Sequence, residues 1–353
     1  MKQDKVRLFN TSIKKVQGGL KTMNLSVKTI IIFSFLLIFS LFSNAFIFVY
    51  ECRASDKTPI KTEECKKFEK FVLVIHGGAI YKEYKLKKRS ALIKELLSKG
   101  KTLLKNGGSS LDVVHFVIKE MENSGFFNAG KGSFKNKGGF VEMDASIMDG
   151  KSMDAGAVAS VRSKIKNPIS AAKLILEKSD NVMFVGKSAE KYIKKIASLD
   201  AGGPNYGQYA FFDSPIPHGT VGAVALDRCG NLAAGTSTGG FGRKIPGRVG
   251  DSPIIGAGTY ANNKVAVSCT GHGEYFIRWA VAHDIAALYT YKNLSIEEAA
   301  TQALKKITEN GGTGGVIAID SNGNIAMPFN TKGMMRGRVS NVLEPKVFIF
   351  KNI

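Results

Sequence analysis

Two five-residue turns of one composition constrain the fold most. Asp227-Arg228-Cys229-Gly230-Asn231 joins the apolar runs Val221–Leu226 and Leu232–Ala234. Asp320-Ser321-Asn322-Gly323-Asn324 joins Val316–Ile319 to Ile325–Ala326. An aspartate that can accept from the backbone ahead of it, followed by a glycine, is hairpin chemistry. A third strand–turn–strand pattern runs from Phe140 to Val161, with Asp149-Gly150 as its turn. Hairpins need antiparallel neighbours, which argues against a doubly wound parallel sheet.

Helical periodicity accounts for much of the remainder. Leu86–Asn106 reads as a helix ended by Asn106-Gly107-Gly108, and a second follows Ser109-Ser110 to about Glu122. Asn167-Pro168 opens a third through Ile175, and Lys187–Ala197 is a fourth. Glu274–Tyr291 reads as one amphipathic helix, and Ser295–Asn310 begins with the capping box Ser295/Glu298. Helices, strands, strands, helices, strands is an α+β order. Stacked sheets with helices on both outer faces would bury every apolar face.

The N-terminal part is of a different kind. Met1–Lys28 is basic, and residues 29–50 are an uncharged, apolar run. Ser43-Asn44-Ala45 would close a signal peptide, with Met1 or Met23 as the start, and the run is also long enough to anchor the chain in a bilayer. Either way the remainder is expected to face a secretory lumen or the exterior. Residues 51–70 read as a linker, and 71–353 as a single catalytic domain. Cys52 and Cys65 could pair in an oxidising lumen, with Cys229 and Cys269 left free. The net charge of +21 is spread along the chain and accompanies no DNA- or RNA-binding signature, so nucleic acid is not an expected partner. No cysteine or histidine spacing suggests zinc.

The polar segments between apolar runs carry the chemistry. Gly219-Thr220 follows a glycine- and proline-rich stretch, 200–217, and opens a strand. A threonine hydroxyl needs a base to attack, and an N-terminal threonine supplies its own α-amine, with a pKa of about 7.7–8.0. Cutting Gly219–Thr220 by attack of the Thr220 hydroxyl on the preceding carbonyl would expose that amine. Thr238 lies in Gly235-Thr236-Ser237-Thr238-Gly239-Gly240. Arg248-Val249-Gly250-Asp251 offers opposite charges to an amino-acid head group, Arg248 for a carboxylate and Asp251 for an ammonium. Thr270-Gly271-His272-Gly273, at a strand end that opens a helix, has the donor types of an oxyanion hole. Gly235–Lys244 looks like a phosphate loop but lacks its spacing. His76 and His272 are further candidate bases.

At these residues the sequence resembles the plant-type L-asparaginase/isoaspartyl aminopeptidase family of N-terminal-nucleophile hydrolases. The motifs are HGG at His76, FNAGKGS at Phe127, HGTVGAVALD at His218, AGTSTGG at Ala234, PGRVGDSP at Pro246, SCTGHGE at Ser268 and FNTKGMMRG at Phe329. The resemblance covers 71 to the C-terminus. It implies a four-layer αββα sandwich, self-cleavage before Thr220 and a dimer of αβ units. It implies hydrolysis of L-asparagine or β-aspartyl dipeptides without a catalytic cofactor. By the same resemblance Thr220 is the nucleophile and Thr238 its neighbour, and Asn128 lies near the nucleophile's amine. Arg248, Val249, Gly250, Asp251, His272 and Gly273 contribute to substrate binding, and Thr270 and Gly271 form the oxyanion hole. The resemblance also implies a structural sodium ion held by main-chain carbonyls of Met121, Glu122, Ser124, Phe127, Ala129 and Lys131. Ile80 stands where the family usually has the last glycine of HGGAG. Gly219 argues against the lysosomal glycosylasparaginases, which typically carry aspartate there. A non-catalytic binding protein of the same fold is the rival from another class.

Overall fold

The chain runs β1 (Val72–Ile80), α1 (Leu86–Lys105), α2 (Ser110–Ser124), β2 (Met143–Asp149), β3 (Ala155–Val161), α3 (Pro168–Lys178), β4 (Met183–Val185) and α4 (Gly186–Ala197). It continues with β5 (Val221–Leu226), β6 (Leu232–Thr238), β7 (Thr259–Ala261), β8 (Val265–Gly271), α5 (Gly273–Arg278), α6 (Val281–Lys292) and α7 (Ile296–Glu309). The last strands are β9 (Gly314–Asp320), β10 (Ile325–Ala326), β11 (Gly333–Ser340) and β12 (Lys346–Phe348). The computed structural model describes residues 69–80, 86–162, 164–197 and 219–351. The apolar 29–50 run, Cys52, Cys65, His218 and the 200–217 stretch lie outside the described residues, as does all but the end of the 51–70 linker. Among the described residues no helix is long and apolar enough to cross a membrane.

The two aspartate turns close as their composition predicts. Asp227 Oδ1 accepts from the main chain of Cys229 at 2.9 Å and of Asn231 at 3.0 Å. Asp320 Oδ1 accepts from Asn322 at 2.9 Å and Asn324 at 2.8 Å. They join β5 to β6 and β9 to β10, both antiparallel. The Asp149-Gly150 turn is longer than two residues: Asp149 N–H donates to the Asp154 carbonyl at 2.9 Å before β3 begins. Ser109 caps α2, and the Ser295/Glu298 capping box opens α7.

Eight strands form one sheet in the order β12-β11-β1-β5-β6-β2-β3-β4, and four form another, β10-β9-β8-β7. The expectation of antiparallel pairing fails at one edge, where β4 runs parallel to β3. Helix α3 supplies the crossover that a parallel pair needs. Helices α1 to α4 contribute to one apolar cluster against the larger sheet, and α6 and α7 to another against the smaller. A third cluster joins the sheets, with Val74, Val224 and Ala234 from the larger and Ala266, Ile317 and Ile319 from the smaller.

Two further expectations are corrected. Glu274–Tyr291 is not one helix but α5 and α6, separated at Ala280, whose φ is 45°. The carbonyls of Ala257 and Gly256 take the N–H groups of Ala282 and His283, so a loop distant in sequence starts a second helix. Cys229 is disulfide-bonded rather than free, its partner lying outside the described residues, whereas Cys269 is free and buried.

Candidate active site

Strand alternation sends residues i and i+2 to one face. On β6 that pairs Thr236 with Thr238, on β8 Ser268 with Thr270, and in the chain entering β5 Thr220 with Gly222. Thr220, Thr238 and Thr270 all line one cavity, together with Ala79, Asn128, Asp251 and Gly271. Thr220 Oγ1 donates to Thr238 Oγ1 at 3.0 Å, and Thr238 Oγ1 accepts from the Gly240 N–H at 3.0 Å. Thr270 Oγ1 accepts from the Ala79 N–H at 3.3 Å.

Asn128 acts through its main chain here. Its N–H donates to the Gly219 carbonyl at 3.2 Å, the carbonyl that self-cleavage would attack. A donor at that oxygen stabilises the charge that attack places on it. The Asn128 side chain is occupied elsewhere, donating to the Gly240 carbonyl and accepting from Phe134 N–H. It therefore steadies the turn after Thr238.

The charged side of the cavity comes from the loop after β6 and from α5. Arg248 is held by Glu274, with Nε and Nη2 donating to its two carboxylate oxygens, each at 2.9 Å. The guanidinium carbon also lies 4.4 Å from the centre of the Phe241 ring. Asp251 is buried, and its Oδ2 has no hydrogen-bond partner. Burial pushes its carboxyl up to about 7, against an opposing pull from its own N–H and from Arg248. Gly273 leaves room for both groups: a Cβ there would lie 2.7 Å from Asp251 Oδ1 and 3.0 Å from Arg248 Nη2. Val249, His272 and Gly273 do not line the cavity, whereas Gly250 does. His272 lies beside it, its ring 5.5 Å from that of Phe241 and its Nε2 3.5 Å from Glu274 Oε2. Beneath the same loop the buried Lys244 ammonium lies 3.5 Å from Asp144 Oδ2.

Such a cavity can do one kind of chemistry well. It offers a hydroxyl nucleophile, a neighbouring hydroxyl, and an arginine and an aspartate as partners of opposite charge for an amino-acid head group. A sequence profile of the family described as Asparaginase matches residues 69–202 and 202–349. The chain belongs to the asparaginase family. It is 44% identical over 297 residues to the isoaspartyl peptidase of Salmonella typhimurium, covering 76% of this chain and 94% of that one. With the isoaspartyl peptidase/L-asparaginase of Rattus norvegicus it shares 40% over 294 residues, 76% of this chain and 86% of the relative. With the plant-type L-asparaginase of Pyrococcus furiosus it shares 38% over 296 residues, 74% and 94% respectively.

At this asparaginase-family cavity the sequence reading missed Phe241, which lines it, and, outside the lining, Glu274 and the Lys244–Asp144 pair. Glu274 was visible only as part of the SCTGHGE motif. Nothing local ties it to Arg248, 26 residues away. The loop expected to hold sodium lies at the end of α2. Its Glu122 side chain is fully buried and accepts from Ser237 Oγ at 2.6 Å, Ile169 N at 3.0 Å and Asn167 Nδ2 at 3.0 Å. Burial raises the Glu122 carboxyl to about 7 despite those donors. Among the described residues no cluster of His, Cys, Asp and Glu side chains could hold a metal ion.

Proposed function

We propose that this chain is a self-processing amidohydrolase that releases L-aspartate from L-asparagine and from β-aspartyl dipeptides. The observation that carries the reading is the pairing, in one cavity, of the Thr220–Thr238 hydroxyls with the unpartnered Asp251 oxygen beside Arg248. The names of the relatives point to the same substrates.

Self-cleavage comes first. Thr220 Oγ1 attacks the Gly219 carbonyl carbon, and the Asn128 N–H supports the developing oxyanion. The C–N bond breaks, the nitrogen leaves as the Thr220 amine, and water hydrolyses the resulting ester. The free amine then takes the Thr220 hydroxyl proton in each turnover. The substrate's α-carboxylate would bind Arg248 and its ammonium Asp251, leaving the side-chain amide carbonyl at Thr220. Thr270 and Gly271 would support the tetrahedral oxyanion. Ammonia or an amino acid leaves with a proton, and water releases aspartate. Both substrate classes share the aspartyl head group, so one clamp serves both.

The three apolar clusters support the four-layer αββα sandwich, and we read the active form as a dimer of αβ units. We also read the loop 121–131 as the seat of a structural sodium ion held by main-chain carbonyls; the Phe127 and Gly125 carbonyls both lie against Gly132, where a Cβ would be 2.0 Å and 3.0 Å from them. A hard cation suits such oxygens, and it would brace the loop that carries Asn128. The apolar 29–50 run and the Cys229 disulfide favour entry into the secretory pathway, as a secreted or membrane-anchored form.

Purified protein on a denaturing gel tests the self-processing step. Two fragments meeting at Gly219–Thr220 are expected, and a wild-type chain that stays whole overturns it. Aspartate release from asparagine and from β-aspartyl dipeptides tests the hydrolase reading. A processed chain that releases none is the binding protein instead.

A further inference from the structure

Directly behind the catalytic threonines lies a second polar row, where the space between the sheets would otherwise be apolar. It occupies the position one pleat deeper on each strand. Thr236 is two residues before Thr238, Ser268 two before Thr270, and Gly222 two after Thr220. A further pleat away the same faces turn apolar, with Val224, Ala234 and Ala266. The row therefore separates the reaction centre from the hydrophobic core.

Its side chains are fully buried: His76, Thr236, Thr259 and Ser268 are each 0% exposed. They are bonded in series. His76 Nε2 lies 3.0 Å from Ser268 Oγ, and Ser268 Oγ lies 2.7 Å from Thr236 Oγ1. Thr259 Oγ1 donates to Thr236 Oγ1 at 2.6 Å, and Thr236 Oγ1 donates to the Gly258 carbonyl at 3.1 Å. Thr259 Oγ1 also reaches the Ser252 carbonyl at 3.4 Å. Burial holds the imidazole neutral, so it has a single N–H, and its tautomer sets whether Nε2 gives or accepts the bond to Ser268. His76 Nδ1 makes no hydrogen bond of good geometry, although the Thr220 main chain close by partly offsets the loss of basicity. Space for the first link comes from Gly222, where a Cβ would lie 2.1 Å from Ser268 Oγ and 2.3 Å from His76 Nε2.

We propose that His76, Ser268 and Thr236 are positioning residues: a buried hydrogen-bonded layer that fixes the spacing of the strands bearing Thr238 and Thr270 relative to Thr220. None of the three lines the cavity, so they act through the threonines beside them. An apolar layer would let the sheets settle by small slides, whereas a buried hydrogen-bonded network ties the strands to fixed partners. The requirement is steep, because a shift of about 1 Å in a reacting group can cost about a hundredfold in rate. The inference rests on the amidohydrolase reading, and self-cleavage gives it a readout of its own.

Thr236→Val keeps the shape and removes the hydroxyl, and Ser268→Ala breaks the same chain without adding bulk. For a β-aspartyl dipeptide each is expected to lower kcat about tenfold with KM changed by no more than about twofold. Self-cleavage should slow by a similar factor. Thr236→Ser should recover kcat to within about threefold of wild type, and the double variant Thr236→Val/Ser268→Ala should lose little more than either alone. Wild-type kcat in both single variants, a loss carried by KM, additive losses, or no recovery in Thr236→Ser each overturn the proposal. Should Thr236→Val not fold, Ser268→Ala and Thr236→Ser decide between these outcomes. A wild-type chain that cleaves itself but turns over no substrate sinks the hydrolase reading alone, and the variants are then judged on self-cleavage.

Discussion

The two halves of the cavity are built by opposite means. The nucleophile half consists of neutral hydroxyls at strand positions, Thr220, Thr238 and Thr270, with the Thr220–Thr238 bond already made. The clamp half consists of charges on a loop and a short helix. Arg248 is satisfied by Glu274, but Asp251 is buried with an oxygen unpartnered. A sheet can fix a hydroxyl in advance because its ladder bonds are complete without a ligand. A buried carboxylate cannot be completed that way, and an incoming ammonium would supply the missing partner. Rate should therefore reside in the first half and affinity in the second.

The largest effect is expected on the nucleophile side. Thr220→Ala should abolish self-cleavage on a denaturing gel and cut aspartate release by at least about a thousandfold, since the neighbouring Thr238 hydroxyl lies mid-chain and has no free α-amine of its own as base. On the clamp side Arg248→Ala should raise KM for asparagine about a hundredfold with a smaller change in kcat, the loss of the cation proposed to hold its carboxylate. An equal loss in kcat would erase the division between the halves. Glu274→Gln keeps one hydrogen bond to Arg248, through its amide oxygen, and loses the other together with the charge, so KM should move by about threefold to tenfold, with kcat steady. The clamp also sets a pH dependence. Asp251 titrates at about 7 in the empty cavity, so the inhibition constant for L-aspartate should weaken as pH falls below 7, by up to about tenfold per unit. A flat profile from pH 8 to 5 would show that Asp251 does not meet the ammonium.

What the sequence disclosed follows the same line between local and distant. Asp227 and Asp320 bond within their own turns, and Ser295 and Glu298 within one helical turn, so composition alone located them. The nucleophile and its threonine partners stood out because each is flanked by glycines at a strand end. Distance in sequence hid the rest. Strand β11 inserts between β12 and β1, and β4 turns parallel, for reasons of topology rather than turn chemistry. Helix α6 restarts because Gly256 and Ala257 capture its first N–H groups. Glu274 meets Arg248, and His76 meets Ser268 192 residues away, only after the strands have assembled. The resemblance places Asn128 near the nucleophile's amine, and its contact with Gly219 comes from its main chain, which no residue pattern reports.

The smallest effect is one of stability, and it has opposite signs behind the two halves. His76 is pushed down to about 3 by burial, so the folded chain leaves it neutral while the unfolded chain protonates it below about 6.5. Its contribution is fully present above pH 6.5 and is lost as pH falls toward 3, by up to about 1.4 kcal/mol per unit. Asp251 behaves the other way. Its folded value of about 7 exceeds the ordinary carboxylate value of 3.8, so the folded chain holds a proton that the unfolded chain releases. Its contribution is fully present below pH 3.8 and is lost as pH rises toward 7. Between pH 4.5 and 6.5 the two slopes oppose each other. Single substitutions should separate them in denaturant titrations across that window, each read as a difference from wild type so that the other buried groups drop out. Asp251→Asn should make stability rise more steeply with pH, by about 1.4 kcal/mol per unit, and His76→Gln should tilt it the other way by a similar amount. If both variants keep the wild-type slope, neither group is as thoroughly desolvated as the geometry requires. The contrast between a ligand-completed clamp and a self-completed nucleophile then loses its electrostatic basis.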